Sequence, residues 1–181
     1  MAQGSTVHRF SINLSDLDRN RFEQFQLQLA RHPSETTGYL LTRVIAYCLE
    51  YREGMEFAAG GVSSNDPALS AQTPDGRCSL WVEIGMPAPE RLHKAAQRAE
   101  RAAVYSHRDL RQLPAKLTVT AAEDDRGVPL YLLEPDFIEA LTGALERKNS
   151  LTLTRTGNRL YAELNGSSFE GEISERRLVA G

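Results

Sequence analysis

The chain has 181 residues, 41% of them hydrophobic and 25% charged, with a formal net charge of −3. That is about one domain of ordinary globular composition, which sets aside disorder, coiled coils and collagen-like repeats. No run approaches the ~20 apolar residues of a membrane span, and no apolar stretch opens the chain as a secretory leader would, so the expected compartment is the cytoplasm. The two cysteines, Cys48 and Cys78, stand in no CxxC pair and make no disulfide framework.

Residues 7–14 place Phe10, Ile12 and Leu14 in alternation and predict a strand. Residues 15–20 are turn-like, and a second strand is expected where Phe25, Leu27 and Leu29 alternate with Gln26 and Gln28. Pro33 ends it, with Ser34 as the N-cap of a helix over 35–52 whose apolar stripe runs through Leu40, Leu41, Val44, Ile45, Cys48 and Leu49. Glu35 then falls in the first turn, where the helix dipole favours a carboxylate. Met55–Ala59 reads as a short strand and Gly60–Asn65 as a loop. Segments 67–72 and 77–85 flank Thr73-Pro74-Asp75-Gly76 and predict a β-hairpin. A helix over 89–102 follows, with Leu92, Ala95, Ala96 and Ala99 facing inward, then a strand at 103–106. The remainder predicts strands at 117–122 and 129–133, a helix over 135–148, a hairpin of 150–155 and 159–164 turning at Gly157-Asn158, and a last strand at 168–174. No repeat or linker divides the chain, so residues 1–181 are read as a single α/β (α+β) domain with a central mixed sheet and flanking helices.

Charge is unevenly spread. Residues 91–116 carry Arg91, Lys94, Arg98, Arg101, Arg108, Arg111 and Lys116 against Glu100 and Asp109, a local +5, while the flanking segments are each −4. Such a stripe can attract phosphate, or it can be a solvated helix face. Within the predicted helix, Arg91, Lys94, Arg98 and Arg101 share one face by their three- and four-residue spacing.

The strand at 80–85 puts Leu80, Val82 and Ile84 on one face and Trp81, Glu83 and Gly85 on the other. A carboxylate in so apolar a strand needs a partner, either a cation site or a salt bridge. The order helix, strand, strand beginning near Asp66, strand with Glu83, helix with Lys94, strand resembles the α-β-β-β-α-β core of the PD-(D/E)XK, restriction-endonuclease-like nucleases, here with extra C-terminal strands. That resemblance implies Asp66, Glu83 and Glu35 as ligands of Mg²⁺ or Mn²⁺. A divalent ion acidifies water and polarises a phosphate, and Mg²⁺ takes hard oxygen ligands. The lysine of the motif, two residues after the second acid, is Gly85 here. Lys94 on the following helix is the nearest replacement, with Gln97 one turn away, and these two are the candidate catalytic residues.

The chain is also similar to the YaeQ family over nearly its whole length. The residues that carry the resemblance are Asp16-Leu17-Asp18-Arg19-Asn20, the string LARHPSET at 29–36, and LWVEIG at 80–85 followed by Pro87 and Lys94-Ala95. The family resemblance implies a bacterial cytosolic protein with a compact variant of the PD-(D/E)XK fold, and carries no activity of its own. Relatives usually have an acid directly after the proline aligned with Pro67; here it is Ala68, and Asp66 either replaces it or the metal site is weakened.

Two main functions stay open. One is a Mg-dependent phosphodiesterase acting on DNA or RNA, with Arg91, Arg98 and Arg101 contacting phosphate. The other is a non-catalytic nuclease-fold module that binds nucleic acid or a transcription-related partner. A protein-interaction domain without nucleic-acid contact is a third class. The sequence is compatible with a monomer. The catalytic reading expects Glu35 and Glu83 to face one cleft with Asp66 at its edge, and it fails if Glu83 lies in the hydrophobic core against an arginine.

Overall fold

A computed structural model of the chain describes residues 4–58 and 65–181. The chain opens with an antiparallel hairpin of β1 (Thr6–Asp16) and β2 (Arg21–Arg31). Inward residues Phe10, Ile12 and Leu14 alternate with exposed Arg9, Ser11 and Asn13, as the period of two requires. Helix α1 (Thr37–Glu50) follows. A short β3 (Glu56–Phe57), then β4 (Leu69–Gln72), β5 (Cys78–Ile84), α2 (Pro89–Arg98) and β6 (Arg101–Ser106) come next. A 3-10 turn at Leu110–Gln112 leads to β7 (Leu117–Thr120), β8 (Val128–Leu133), α3 (Pro135–Thr142), β9 (Lys148–Thr156), β10 (Arg159–Leu164) and β11 (Ser167–Ala180).

Among the described residues the strands form one sheet in the order β2-β1-β9-β10-β11-β8-β6-β5-β4-β3, with β7 also pairing β11. The result is a compact mixed α/β domain with few helices. Strand β11 joins its two halves. Residues up to Glu172 pair with β10, and from Ile173 onward they pair with β8 and then β7. At Gly171, just before the change of partner, an added Cβ would stand 2.4 Å from Phe137 of α3, so only glycine allows the helix to lie this close. Pairings β1–β9, β5–β6 and β6–β8 are parallel. The main core packs α1 and α3 on the sheet, and a smaller cluster of Leu92, Val104, Leu117, Val128, Leu130 and Leu178 lies under α2.

Every predicted element with described residues is present, but three helix boundaries move. Helix α1 begins at Thr37, with the Thr36 hydroxyl accepting the Tyr39 amide at 3.1 Å. Ser34 is not the cap, because its hydroxyl bonds the His32 ring at 2.7 Å, and Glu35 therefore precedes the helix rather than occupying its first turn. Helix α2 stops at Arg98: Ala99 is extended and Arg101 already pairs with Leu80. Arg101 is thus a strand residue and does not share the α2 face, and Ala96 is exposed rather than inward. Helix α3 ends at Thr142, because Lys148 is already in register with Arg9 in β1. The short strand β3 is confined to Glu56–Phe57; Ala59 and the expected loop at residues 60–64 lie outside the described residues.

Candidate functional site

Strand β5 runs between β4, antiparallel, and β6, parallel, so from Leu80 to Ile84 it is buried throughout. Glu83 is therefore a carboxylate in the middle of a covered sheet, and its oxygens must be satisfied locally. They are. The Trp81 indole donates to Glu83 Oε1 at 2.7 Å. Arg91, in the first turns of α2, forms a forked pair, with Nη2 at 2.8 and 3.1 Å from the two oxygens and Nε at 3.3 Å. The same Nη2 also donates to the Asp66 carbonyl at 3.0 Å, which ties the approach to β4 to α2. Such planar, forked geometry is what arginine offers a carboxylate and lysine does not.

Glu35 has a matching partner. Arg43, two turns into α1, donates to Glu35 Oε2 at 2.7 Å and to the Ala30 carbonyl at 3.1 Å. Both side chains are buried, and the guanidinium carbon lies 5.6 Å from the Tyr39 ring centroid and 5.7 Å from that of Phe57. Burial lowers the Arg43 proton affinity, against the pull of Glu35. Both ion pairs act electrostatically on Tyr39. Its phenol is pushed up first by burial, then pulled down by Arg43, pushed up by Glu35 and Glu83, and pulled down by Arg91.

Two further cations flank Glu83. The Lys94 ammonium stands 5.5 Å from the Trp81 ring centroid, a cation–π contact with the indole that bonds the carboxylate. Arg108, exposed after β6, lies over Gly85: a Cβ there would meet its Nε at 3.8 Å. Gly85 itself has φ +87, a left-handed conformation in which a lysine would be strained. The place of the missing lysine is thus covered by an arginine from another element.

The structure brings Glu83, Arg91, Lys94 and the Asp66 carbonyl together, while Glu35 pairs separately with Arg43. Glu83 is buried against an arginine, the arrangement that counts against a catalytic carboxylate. Gln97 faces solvent and bonds the His93 ring at 2.8 Å, and Arg98 is exposed. Arg101 is committed elsewhere, to Glu50, through two bonds of 2.7 Å. Among the described residues no group of three His, Cys, Asp or Glu side chains is placed to hold a metal ion. A divalent ion at Glu83 would have to displace Arg91, so in this arrangement the donors do not fit one. Sequence reading missed Arg43, Tyr39 and Arg108. Arg43 alone had a local signal, a lone basic residue on the apolar α1 eight positions after Glu35.

These features define a mixed-sheet α/β protein whose two site carboxylates are each closed by an arginine. The YaeQ protein family model matches residues 1–173, and the chain belongs to that family. Relatives named "Uncharacterized protein YaeQ" from Escherichia coli (strain K12) and Salmonella typhi are 33% and 34% identical over 107 residues, which is 59% of this chain and 59% of each relative. The crystal structure of the YaeQ protein from Pseudomonas syringae is similar over 99% of this chain and 98% of its own, at 28% identity and a TM-score of 0.82. That from Xanthomonas axonopodis pv. citri, at 23% identity, shares the fold with a TM-score of 0.83 over 96% and 99% of the two chains. No described helix is long and apolar enough to cross a membrane.

Proposed function

We propose that the chain is a nuclease-fold module of the PD-(D/E)XK type that binds the phosphates of DNA or RNA without cutting them. The observation that carries this reading is the forked Arg91–Glu83 pair, which occupies the carboxylate that a catalytic ion would need. The element order α1-β3-β4-β5-α2-β6, with Glu83 on the third strand, supports the superfamily assignment. Arg43 and Arg91 pair with Glu35 and Glu83, which leaves Lys94 and Arg108 against Asp66 around the site, a balance that suits a polyanion rather than a cation. Arg98 extends that charge along the exposed face of α2.

The test is binding of a single-stranded and a duplex oligonucleotide across a salt series, with and without Mg²⁺ or Mn²⁺. Affinity should fall steeply with salt and weaken for every sequence in an Arg98→Glu variant. Neither ion should produce cleavage. Absence of oligonucleotide binding at low salt would refute the reading.

The second reading is a Mg- or Mn-dependent phosphodiesterase. It is favoured by two buried carboxylates, Glu35 and Glu83, and it requires Arg91 to leave Glu83 and Arg43 to leave Glu35. Saturable metal binding lost in Glu83→Gln, together with metal-dependent cleavage, would establish it over the first.

A further inference from the structure

The Asp16-Leu17-Asp18-Arg19-Asn20 string plays no part in the proposed function, yet it organises a second charged centre at the opposite end of α1. The β1–β2 turn delivers Arg19 to the Leu49 carbonyl and Arg21 to the Tyr51 carbonyl. Arg52 donates to the Ser79 carbonyl at 3.4 Å and stands 3.9 Å from Glu50. Arg101 grips Glu50 through two bonds of 2.7 Å, and the Tyr105 hydroxyl adds a third at 2.9 Å. Asp16 stands 3.8 Å from Arg19.

Part of this arrangement is structural. Cations at a helix C-terminus satisfy its last carbonyls and oppose its dipole, and Arg101 neutralises a buried carboxylate. Those duties do not account for the charge balance. Four arginines (Arg19, Arg21, Arg52, Arg101) gather around the buried carboxylates Asp16 and Glu50, with Glu100 acting on Arg52 from further off, so arginines outnumber acids here. The side chains of Arg19, Arg52 and Arg101 are 32%, 35% and 33% exposed, so their outer nitrogens reach solvent. Arg52 holds its proton less firmly than usual, first through burial, with Arg101 and Arg21 adding to the effect against Glu50. Packing like charges this closely is unfavourable unless an anion joins them.

We infer that the arginines gathered at the C-terminal end of α1 form an anion site for a phosphate dianion, as in inorganic phosphate or a phosphomonoester. An anion offsets the surplus of arginines, and the planar guanidinium forks match tetrahedral oxygens. On β5 the Ser79 carbonyl of this site is four residues, roughly 13 Å, from Glu83, and the inference rests on other residues than the function proposed there.

The experiment is a ³¹P NMR titration of the full chain with inorganic phosphate at pH 7.5, with ionic strength held constant by potassium chloride. A saturable shift is expected. Arg52→Gln should weaken it about tenfold, as loss of a charged hydrogen-bond donor requires, and Arg21→Gln plus Arg52→Gln should abolish it. Arg176→Ala, an exposed arginine outside both centres, should leave it unchanged. Near-ultraviolet circular dichroism checks that each variant is folded. Absence of saturation, or parental affinity in the folded Arg52→Gln and double variants, would overturn the inference. A final arm compares 5′-phosphorylated with 5′-hydroxyl oligonucleotide. A preference for the former that Arg52→Gln removes assigns the phosphate to a nucleic-acid end, whereas equal binding alongside the inorganic phosphate shift assigns it to free phosphate.

Discussion

The two ends of α1 solve the same problem differently. Near its start, each buried carboxylate has its own arginine: Glu35 has Arg43 and Glu83 has Arg91. At its end, Glu50 is shared among Arg101, Tyr105 and Arg52, with Arg19 close by. One-to-one pairs depend on a single guanidinium, whereas the shared carboxylate is held redundantly. Arg101 also issues from a strand inside the sheet, while Arg91 issues from a helix of ten residues with only Leu92 and Ala95 buried. The difference teaches that the Glu50 centre is part of the framework and that the Glu83 centre is the one a ligand can reopen.

The largest effect should come from Arg101→Ala, which leaves Glu50 buried beside Tyr105 without its forked partner. A loss of about 3 kcal/mol is expected in urea denaturation, at the low end for a broken buried pair because Arg101 is partly exposed. A loss under about 1 kcal/mol would show that Arg52 and Arg19 carry Glu50 by themselves. Arg91→Ala should cost less, about 1–2 kcal/mol, since Trp81 still donates to Glu83. It should also free the carboxylate. Millimolar Mn²⁺ should then raise the melting temperature of the variant and leave the parent unchanged. The same rise in the parent would break the contrast between the two ends.

Acid separates the centres next. Burial opposes the charge on Glu50, but the Arg101 and Tyr105 hydrogen bonds outweigh it and hold the carboxyl below its ordinary range. The folded state therefore binds this proton more weakly than the unfolded chain. The stabilisation is present above the unfolded value of about 4.3 and is lost as pH falls through the lower folded value. Denaturation midpoints should drop in that window, and Glu50→Gln, though less stable at neutral pH, should show a shallower drop. The smallest effect is expected at Gln97. It touches only His93 on an exposed turn, so Gln97→Ala should change stability by less than about 0.5 kcal/mol. A large loss of oligonucleotide binding in that variant would restore the site role that its sequence position suggested.

Sequence alone carried most of the elements, because period-two alternation in β1, β2 and β10 and helical spacing in α1 are strong local signals. The helix ends were not legible. Ser34 looks as good a cap as Thr36 until the His32 ring claims its hydroxyl, and nothing within residues 99–102 tells a helix from the strand that Leu80 recruits. Glu83 stood out because an acid in an apolar strand demands a partner. Which partner was not legible, since Arg91 and a divalent ion answer the demand equally well on paper. Arg108 reaches the site through a tertiary contact that leaves no trace in spacing, whereas Arg43 is marked only by its place on the apolar α1. Within the basic stripe, Arg91, Arg101 and Arg111 have acidic partners of their own in Glu83, Glu50 and Asp109.

The parallel pairing of β1 with β9 has a consequence for how the protein comes to exist. Arg9 and Lys148 are register partners, so the first hairpin waits for a strand made some 139 residues later. Contacts of that separation carry a high loop-closure cost and slow the search for the native state. During synthesis β1 and β2 can zip to each other, yet Phe10, Ile12 and Leu14 have no β9 beside them until the chain has grown past residue 148. Until β9 is made, the edge of β1 that it will pair lacks its partner, and an open edge beside an apolar face is the kind of surface that holding chaperones engage.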